Sequence, residues 1–480
     1  MRDRTRRHLQ LERKKPEELS WTDYLLMLLH VGAEIEHALM VEYLYAAYSL
    51  GGDQVPKKHH QHIRDWRNAI LTVAREEMGH LLTVQNLLTL LGGPISLDRE
   101  DYPWDSPFYP FPFKLSPLTM DSLAHYVYAE MPPDEMMADA TLTEKRIREE
   151  VRRRVEGDRG PHHPVSEIYD AIIEIIEDPE LIPDSAFRSE TFGHQASWDE
   201  WGKNYRADPE AEATKRDDER RAHVIVAQMA TRTEAVAGLR MVAGQGEAPH
   251  LRHPKKPDKP DEPSHFERFA EVYAGYEKIG KLDEKDRWAP TRPIPVNPTT
   301  VRPPKSKSKD KGTSSRDAAP PTFIENDASR RWAELFNIRY RMLLTYLSHT
   351  YRLGRTTGTD EPGPRGLMLH RIFGEMYNLK TIAGLLVRMP LTDDPKDPAR
   401  AGPPFQMPYT LSLPADEVDC WRTHVDLLQS SGVICDDLLD RGGPADGARY
   451  LKSLRELDEQ AMAWIDRILA DMGSARRVRS

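Results

Sequence analysis

The feature that most constrains this chain is a Glu-x-x-His step, Glu77 to His80, inside a strongly apolar helical segment. Residues three apart share one face of an α-helix, so the two side chains point the same way. The apolar pattern places that face on the buried side, where two ionisable groups are unfavourable unless a partner compensates them. In four-helix bundles the usual partner is a metal pair that is held by carboxylates and by Glu-x-x-His steps.

A second apolar helical segment, Trp21–Leu50, carries Glu36 on its core stripe. Tyr43 follows seven residues later, two helical turns on, and therefore points to the same side. Taken alone, Glu36 fits either a metal ligand or a buried carboxyl that is hydrogen-bonded to a tyrosine or histidine. Because Glu77 and His80 lie on another inward stripe, we predict that the three residues hold metal together.

Ionisable neighbours of these residues fall beside the two stripes. We expect Arg75 and Glu76 in solvent, and Glu34 and Glu42 at the surface or behind the ligands. His37 is turned by about 100° from Glu36 and is expected to face away.

Composition narrows the class of protein. The chain has 480 residues, of which 39% are hydrophobic and 30% charged, so we expect a soluble globular protein of several domains. A net charge of −10 argues against a nucleic-acid partner. No uninterrupted run of ~18 apolar residues and no signal-peptide h-region is found, so we expect a cytoplasmic protein without a membrane partner.

The chain has two cysteines, Cys420 and Cys435, which cannot build a disulfide framework or a zinc-thiolate site. A metal bound here therefore needs oxygen and nitrogen ligands, and these suit iron or manganese.

Helical periodicity recurs along the chain and strand patterns are nearly absent, which predicts an all-α fold. A capping-box pattern, Ser264 to Glu267, predicts that His265 opens a helix. The charged run Arg146–Arg159 fits a solvated helix or a loop. The predicted helices are Trp21–Leu50, Gln61–Leu91, Met120–Met131, Val165–Glu177, Asp217–Glu247, Ser264–Ile279, Asn326–Leu353, Arg365–Met389, Ala415–Asp440 and Ala448–Met472.

The same pattern divides the chain into four parts. Residues 1–20 form a basic tail, and residues 21–281 form the bundle domain. Residues 282–322 are rich in Pro, Lys and Ser and are predicted to be a linker. Residues 323–480 form a C-terminal helical domain, in which His370 and Glu375 are expected to be structural or surface groups because five residues separate them.

Several short motifs follow one another between about Trp21 and Ile279: EIEHALMVEYLYAAYS, EEMGHLLTVQNLLTLLGGP, LSPLTMDSLAHYVYAEMPP, SEIYDAII, GQGE and SHFERF. In this order they resemble the ferritin-like domain of the iminophenyl-pyruvate dimer synthase type, which is found in violacein and rebeccamycin bisindole pathways. The strings FNIRYRMLLTYL and AGPPFQMPYTLSLP look like the region that follows that domain. The larger bisindole synthases carry another long region that this chain lacks, so the resemblance does not bring dimer-synthase activity with it.

The resemblance implies a ferritin-like four-helix bundle with a C-terminal helical domain and a site for two iron ions, or for manganese with iron. Carried over by position, four carboxylates and two histidines would be the ligands: Glu36, Glu77, His80, Glu167, Glu247 and His265. The last two are separated by a loop, which makes their pairing differ from that of a simple ferritin.

The function that these expectations favour is a non-haem diiron oxidase or oxygenase that uses dioxygen. Its substrate would be a small amino-acid-derived metabolite of bacterial specialised metabolism, free or bound to a carrier. Tyr43 and Tyr169 are candidate neighbours of the metal or electron-transfer groups, with core packing as the alternative. Two other hypotheses stay open, a non-catalytic iron-binding or scaffold protein and a metal-free structural relic. The sequence leaves the oligomeric state open, a homodimer included.

Overall fold

The computed structural model describes residues 15–99, 111–133, 137, 140–156, 165–201, 224–247, 263–282, 287–302, 320–355, 363–442 and 445–479. The chain divides into two compact units. The first comprises Met1–Arg292 with Asp310–Pro320, and the second comprises Pro293–Lys309 with Pro321–Ser480. The predicted linker, 282–322, lies partly outside the described residues, and the predicted domain boundaries stay predictions.

The first unit is built from helices, as the sequence predicts. These are α1 (Trp21–Ser49), α2 (His60–Leu90), α3 (Met120–Ala129), α4 (Leu142–Glu156), α5 (Val165–Glu177), the single turn α6 (Trp198–Trp201), α7 (Arg232–Glu247) and α8 (His265–Gly280). Short 3-10 turns occur at Lys57–His59, Asp184–Ala186 and Ser189–His194.

Four of these helices close a ring. Helix α1 packs against α2 and α5, and α7 packs against the same two helices from the other side. Helix α8 lies outside this ring and packs on α2, α3, α4 and α7. The predicted four-helix bundle is therefore present, and its interior is enclosed by α1, α2, α5 and α7.

Helix α1 begins at a capping box in which Ser20 and Asp23 satisfy each other's backbone N–H groups. By length and hydropathy it would be able to cross a membrane, although no such segment was expected from the sequence. However, 67% of its most apolar window is buried inside the protein. Its buried face includes Glu36 and His37, which is typical of a core helix that carries a polar site.

The charged run that begins near Arg146 is a helix, α4, rather than a loop. Ile147 and Val151 are buried on one side of it, and their four-residue spacing places them on one face. The arginines and glutamates of this segment form ion pairs along the helix, such as Arg146 with Glu150.

The predicted long helix Asp217–Glu247 is wrong in its first half. Residues 217–223 lie outside the described residues, residues 224–230 are not helical, and α7 begins only at Arg232. The amide N–H of Ala227 donates to Thr83 Oγ1 at 3.1 Å, and its carbonyl accepts from Asn86 Nδ2 at 2.8 Å. Side chains of α2 thus satisfy the backbone groups that a helix would have paired internally. Thr231 and Glu234 form the cap that starts α7.

In the described part of the second unit, four helices are joined by non-helical segments, one of which spans residues 387–416, and there is one pair of two-residue strands. The helices are α9 (Asp327–Arg352), α10 (Pro364–Leu386), α11 (Glu417–Asp440) and α12 (Ala445–Arg479). The strands, β1 (Pro298–Thr299) and β2 (Thr322–Phe323), pair in parallel, with Pro298 opposite Thr322.

A buried ionic network joins the helices of the second unit. Arg339 of α9 donates to Asp458 of α12 and, at 3.1 Å, to Glu375 of α10, and all three side chains are fully buried. Arg371 binds the same two carboxylates. Glu375 is therefore structural, as expected, whereas His370 lies at the surface.

Gly79 shows why α2 needs a glycine inside its apolar run. A Cβ there would collide with the carbonyl oxygen of Ile225 and lie 2.9 Å from Val224 Cγ1. The extended segment before α7 thus lies directly on the helix backbone at the residue that precedes His80. Gly32 of α1, also buried in a helix, has no atom within 4 Å of the corresponding position among the described residues.

We predict opposite effects for alanine at these two glycines. Gly79→Ala should lower the free energy of unfolding by about 2–3 kcal/mol, because backbone must move to admit the methyl group. Gly32→Ala should raise it by about 0.5–1 kcal/mol, since a helical glycine gains rigidity and meets no obstacle. Chemical denaturation of both variants measures this, and equal effects would contradict the packing described here.

Candidate metal centre

Four of the predicted ligands come together inside the bundle. Glu36 of α1, Glu77 and His80 of α2, and His265 at the start of α8 are each at most 3% exposed. Their donor atoms belong to two groups, each with ligand atoms within 4.8 Å of one another. One group is Glu36, Glu77 and His80, and the other is Glu77, Glu130 and His265.

Glu77 belongs to both groups and lies between the two histidines. Its Oε2 is 2.9 Å from His80 Nδ1, and its Oε1 is 2.8 Å from His265 Nδ1. His80 Nδ1 is also 3.6 Å from Glu36 Oε2. The two imidazole rings stack with their centroids 5.4 Å apart. One carboxylate thus serves two donor groups that face each other across the bundle interior.

Glu77 Oε1 and His265 Nδ1 form a close ion pair that lacks the alignment of a good hydrogen bond. Glu77 Oε1 and His265 Nδ1 are both buried, and neither has a hydrogen-bond partner among the described residues. A buried polar atom without a hydrogen bond is unfavourable by about 1–3 kcal/mol, and the attraction between these two groups offsets only part of that. Oxygen and nitrogen donors that converge this closely suit a cation once the protons that they hold are displaced. The oxygen and nitrogen donors also match the preferences of iron and manganese, so the residues fit the dimetal group.

Glu130 is a member of the cluster that the sequence analysis missed. It follows the last residue of α3, is 6% exposed, and its Oε2 lies 3.4 Å from His265 Nδ1. A signal for it was present, since Leu123, Val127 and Glu130 follow the i, i+4, i+7 spacing of one helix face. The two prolines after Met131 indicate where the helix ends, but they do not indicate that its last inward residue is a carboxylate.

Glu167 takes no part in the two groups of donor atoms among the described residues. It lies in the first turn of α5, half-buried, and its charge acts on Tyr128. Tyr169, two residues later, points to the cluster instead. Glu247 ends α7, and its side chain lies outside the described residues. Metal ligation by either glutamate stays a prediction.

Both predicted tyrosines donate hydrogen bonds to the carboxylates of the cluster. Tyr43 donates to Glu130 Oε1 at 2.6 Å, and Tyr169 donates to Glu36 Oε1. Both rings are at most 2% exposed. Burial, followed by the neighbouring carboxylates, raises the pKa of each phenol well above 10, which keeps the donating proton in place.

The outer nitrogen of each histidine also has a partner. His265 Nε2 lies 3.0 Å from Glu76 Oε2, and His80 Nε2 lies 3.0 Å from Gln245 Oε1. An Nε2–H that donates outward leaves Nδ1 as the nitrogen that can bind a cation after it loses its proton. The expectation that Glu76 is solvated is therefore wrong: it is fully buried and also lies 3.4 Å from the guanidinium of Arg268.

The charged groups of the cluster strongly shift one another's pKa values. Burial, together with the charge of Glu77, raises the pKa of Glu36 to about 7. Burial alone would lower the pKa of His80, but Glu77 and Glu36 outweigh it and raise the pKa to about 10. A bound cation would have to displace protons held by these groups, so we expect metal to bind more tightly as the pH rises.

A small cavity adjoins the cluster. Its volume is about 30 Å³, which accommodates roughly two water-sized molecules. Glu36, Glu77, Glu130, His80 and Tyr169 form its polar side. The remaining wall is small and apolar: Leu39, Ala129, Val165, Val242, Ala243 and Gly246.

Two further ionisable residues of α1 are buried away from the cluster. His37 Nδ1 lies 3.0 Å from the carbonyl of Leu97, and burial with the charge of Arg99 lowers its pKa to about 3. Glu42 is not at the surface: its Oε1 accepts from the amide of Lys114 at 2.7 Å. Burial raises the pKa of Glu42 to about 8.

Glu42 makes the stability of the protein depend on pH. An unfolded glutamate ionises near 4.5 and the folded one near 8, so the unfolded state loses its proton first as the pH rises. The free energy of unfolding should therefore fall between these values, by on the order of 5 kcal/mol from this residue. In the Glu42→Gln variant, the free energy of unfolding should decrease less over this pH range. Denaturation from pH 5 to 8.5 tests this against Glu174→Gln, an exposed control on α5, and equal slopes in both variants would contradict the assignment.

A third group of donor atoms lies in the second unit: His349, Glu417 and Cys420. His349 Nε2 is 2.8 Å from Glu417 Oε1, and its Nδ1 is 2.8 Å from His424 Nε2. The Arg352 guanidinium lies 2.7 Å from Cys420 Sγ. Because the Arg352 guanidinium already contacts Cys420 Sγ and would repel a metal cation, we assign no metal to this group.

Comparisons with known proteins bear on the first unit. A family model described as ferritin-like matches residues 29–274. Dichlorochromopyrrolate synthase of Lentzea aerocolonigenes is 33% identical over 132 residues, which cover 23% of this chain and 13% of the synthase. The chain thus matches only a small part of that relative's length. A crystal structure of a ferritin-like protein from Caulobacter vibrioides aligns with 75% of this chain and 95% of its own, at 14% identity and a TM-score of 0.38.

Proposed function

Because the chain belongs to the ferritin-like family, whose model matches just over half of it, we propose that its first unit is a non-haem diiron oxidase or oxygenase. The observation that carries this proposal is the carboxylate of Glu77 between two inward-facing histidine nitrogens, with two buried donor atoms that meet each other but make no hydrogen bond among the described residues. A manganese and iron pair is the alternative metal content. Two such ions, when bound, supply electrons for the reduction of dioxygen.

The residues divide into two sets around Glu77. Glu36 and His80 would hold one ion, and Glu130 and His265 would hold the other, with one oxygen of Glu77 directed to each side. Three carboxylates and two histidines are one carboxylate short of the usual count for such centres. Glu247 ends α7, next to Gly246 of the cavity wall, and is the residue that we propose for the missing position.

The tyrosines position the carboxylates. Tyr169 fixes one oxygen of Glu36 and Tyr43 fixes one oxygen of Glu130, so the other oxygen of each carboxylate stays directed to the cluster. Buried phenols with raised pKa values also hold protons close to the reacting centre. Both phenols therefore stay protonated and keep donating their hydrogen bonds to the carboxylates.

The cavity supports small reactants. About 30 Å³ is room for a dioxygen-sized molecule, and part of the wall around it is apolar. A small amino-acid-derived metabolite, free or carrier-bound, is the substrate class that we propose from the resemblance to the bisindole-pathway domain. The family and the synthase relative do not define the reaction, because function depends on the site rather than on the fold.

Metal content is the first expected result. After anaerobic loading with ferrous iron and desalting, the wild type should retain about two ions per chain. Glu77→Gln should retain fewer than one, because it removes a charge that both donor groups share. Glu174→Gln changes an exposed carboxylate on a bundle helix in the same way and should behave like the wild type.

Substrate-dependent oxygen uptake by the loaded protein then separates an enzyme from a binding protein, because bound ferrous iron alone can be oxidised once without turnover. With an accepted substrate the wild type should consume more dioxygen than its iron accounts for, and Glu77→Gln should not. Two retained ions without such uptake, with or without aromatic amino-acid derivatives, would support a non-catalytic iron-binding protein instead. A wild type that retains no metal would refute the dimetal proposal.

A further inference from the structure

We propose that the two metal positions are unequal, and that Glu76 and Gln245 are the positioning residues that make them so. The position at His265 binds metal tightly, and the position at His80 exchanges it. This inference rests on the proposed function, because it assumes that both positions bind metal. It goes further by assigning a different metal affinity to each side, although each side has one histidine and one carboxylate besides Glu77.

On the His265 side, the outer nitrogen donates to a carboxylate. Glu76 is fully buried, its Oε2 is 3.0 Å from His265 Nε2, and Arg268 lies 3.4 Å from the same oxygen. A buried carboxylate draws the Nε2 proton towards itself and makes the inner nitrogen a stronger donor to a cation. Arg268 compensates the charge of Glu76 and fixes its orientation.

On the His80 side, the outer nitrogen donates to a neutral amide. Gln245 Oε1 lies 3.0 Å from His80 Nε2, so the tautomer is fixed in the same way. An amide oxygen carries less negative charge than a carboxylate, and its hydrogen bond is weaker. Gln245 is only half-buried and lies two residues before the end of α7. His80 should therefore be the weaker and less firmly held ligand.

The packing around the two sides also favours tighter metal binding at His265 than at His80. On the Glu130 and His265 side, the Tyr43 ring packs against Phe269 at 4.8 Å and against Tyr126 at 4.9 Å between centroids. Among the described residues, His80 lines the cavity and His265 does not. An ion at His80 would thus adjoin the cavity, whereas an ion at His265 would lie on the side where Tyr43 packs against Phe269 and Tyr126.

Stepwise titration of the metal-free protein with Mn²⁺, with free Mn²⁺ followed by electron paramagnetic resonance, tests the proposal. The wild type should bind two ions in two resolved steps. Glu76→Gln should weaken the tight step by about 10–100-fold and leave the other unchanged. Gln245→Glu should tighten the weak step, and Gln245→Ala should weaken it further. Glu174→Gln should change neither step.

Different results of this titration would refute this inference and the proposed function. Two equal steps in the wild type, or Glu76→Gln weakening both steps alike, would overturn the inequality while leaving a dimetal site in place. A wild type that binds no Mn²⁺ would overturn both proposals. Gln245→Glu adds a charge at a half-buried position, so its tightening of one step is a gain that a folding defect cannot imitate.

Discussion

The structure of the first unit depends on how the bundle accommodates buried charge around Glu77. Four carboxylates, Glu36, Glu76, Glu77 and Glu130, share one interior with two histidines. Buried ions are tolerated only when each finds compensation. The two histidines supply part of it, two tyrosines and Arg268 supply more, and an orphaned oxygen and nitrogen remain. That remaining deficit is what a pair of cations would satisfy.

Several irregular features of the fold serve this arrangement. The segment before α7 is extended because Thr83 and Asn86 of α2 bind its backbone. Its approach requires glycine at position 79, directly beside His80. Helix α8 begins at His265 because Ser264 and Glu267 cap it there, and this cap places the imidazole on Glu77. The loops and caps thus set the positions of the ligands that the helices alone would leave free.

Much of this could be predicted from the sequence. The helical stripes gave Glu36, Glu77 and His80, the capping box gave the start of α8 at His265, and the all-α bundle is confirmed. The resemblance to the ferritin-like family is confirmed by the family model. Periodicity succeeds at these residues because they lie within long helices, where one face is buried along the whole length.

Two of the three errors have a common physical cause. Glu76 lies beside the α2 stripe and was expected in solvent, but α8 covers that side of the helix and buries it. Glu130 comes at the end of a short helix, where periodicity gives little signal. Helix α7 starts late because its preceding residues pair with side chains distant in sequence. The errors at Glu76 and at the start of α7 thus depend on tertiary contacts that no local pattern contains, whereas Glu130 carries a local signal over only one short helix.

The central claim is that Glu77 lies between two metal positions. Crystals of the iron-loaded protein, measured by anomalous diffraction at the iron edge, test it most directly. The account predicts two peaks, one beside His80 Nδ1 and one beside His265 Nδ1, with the Glu77 carboxylate between them. A single peak, or iron bound elsewhere with Glu77 and the histidines uncoordinated, would contradict it.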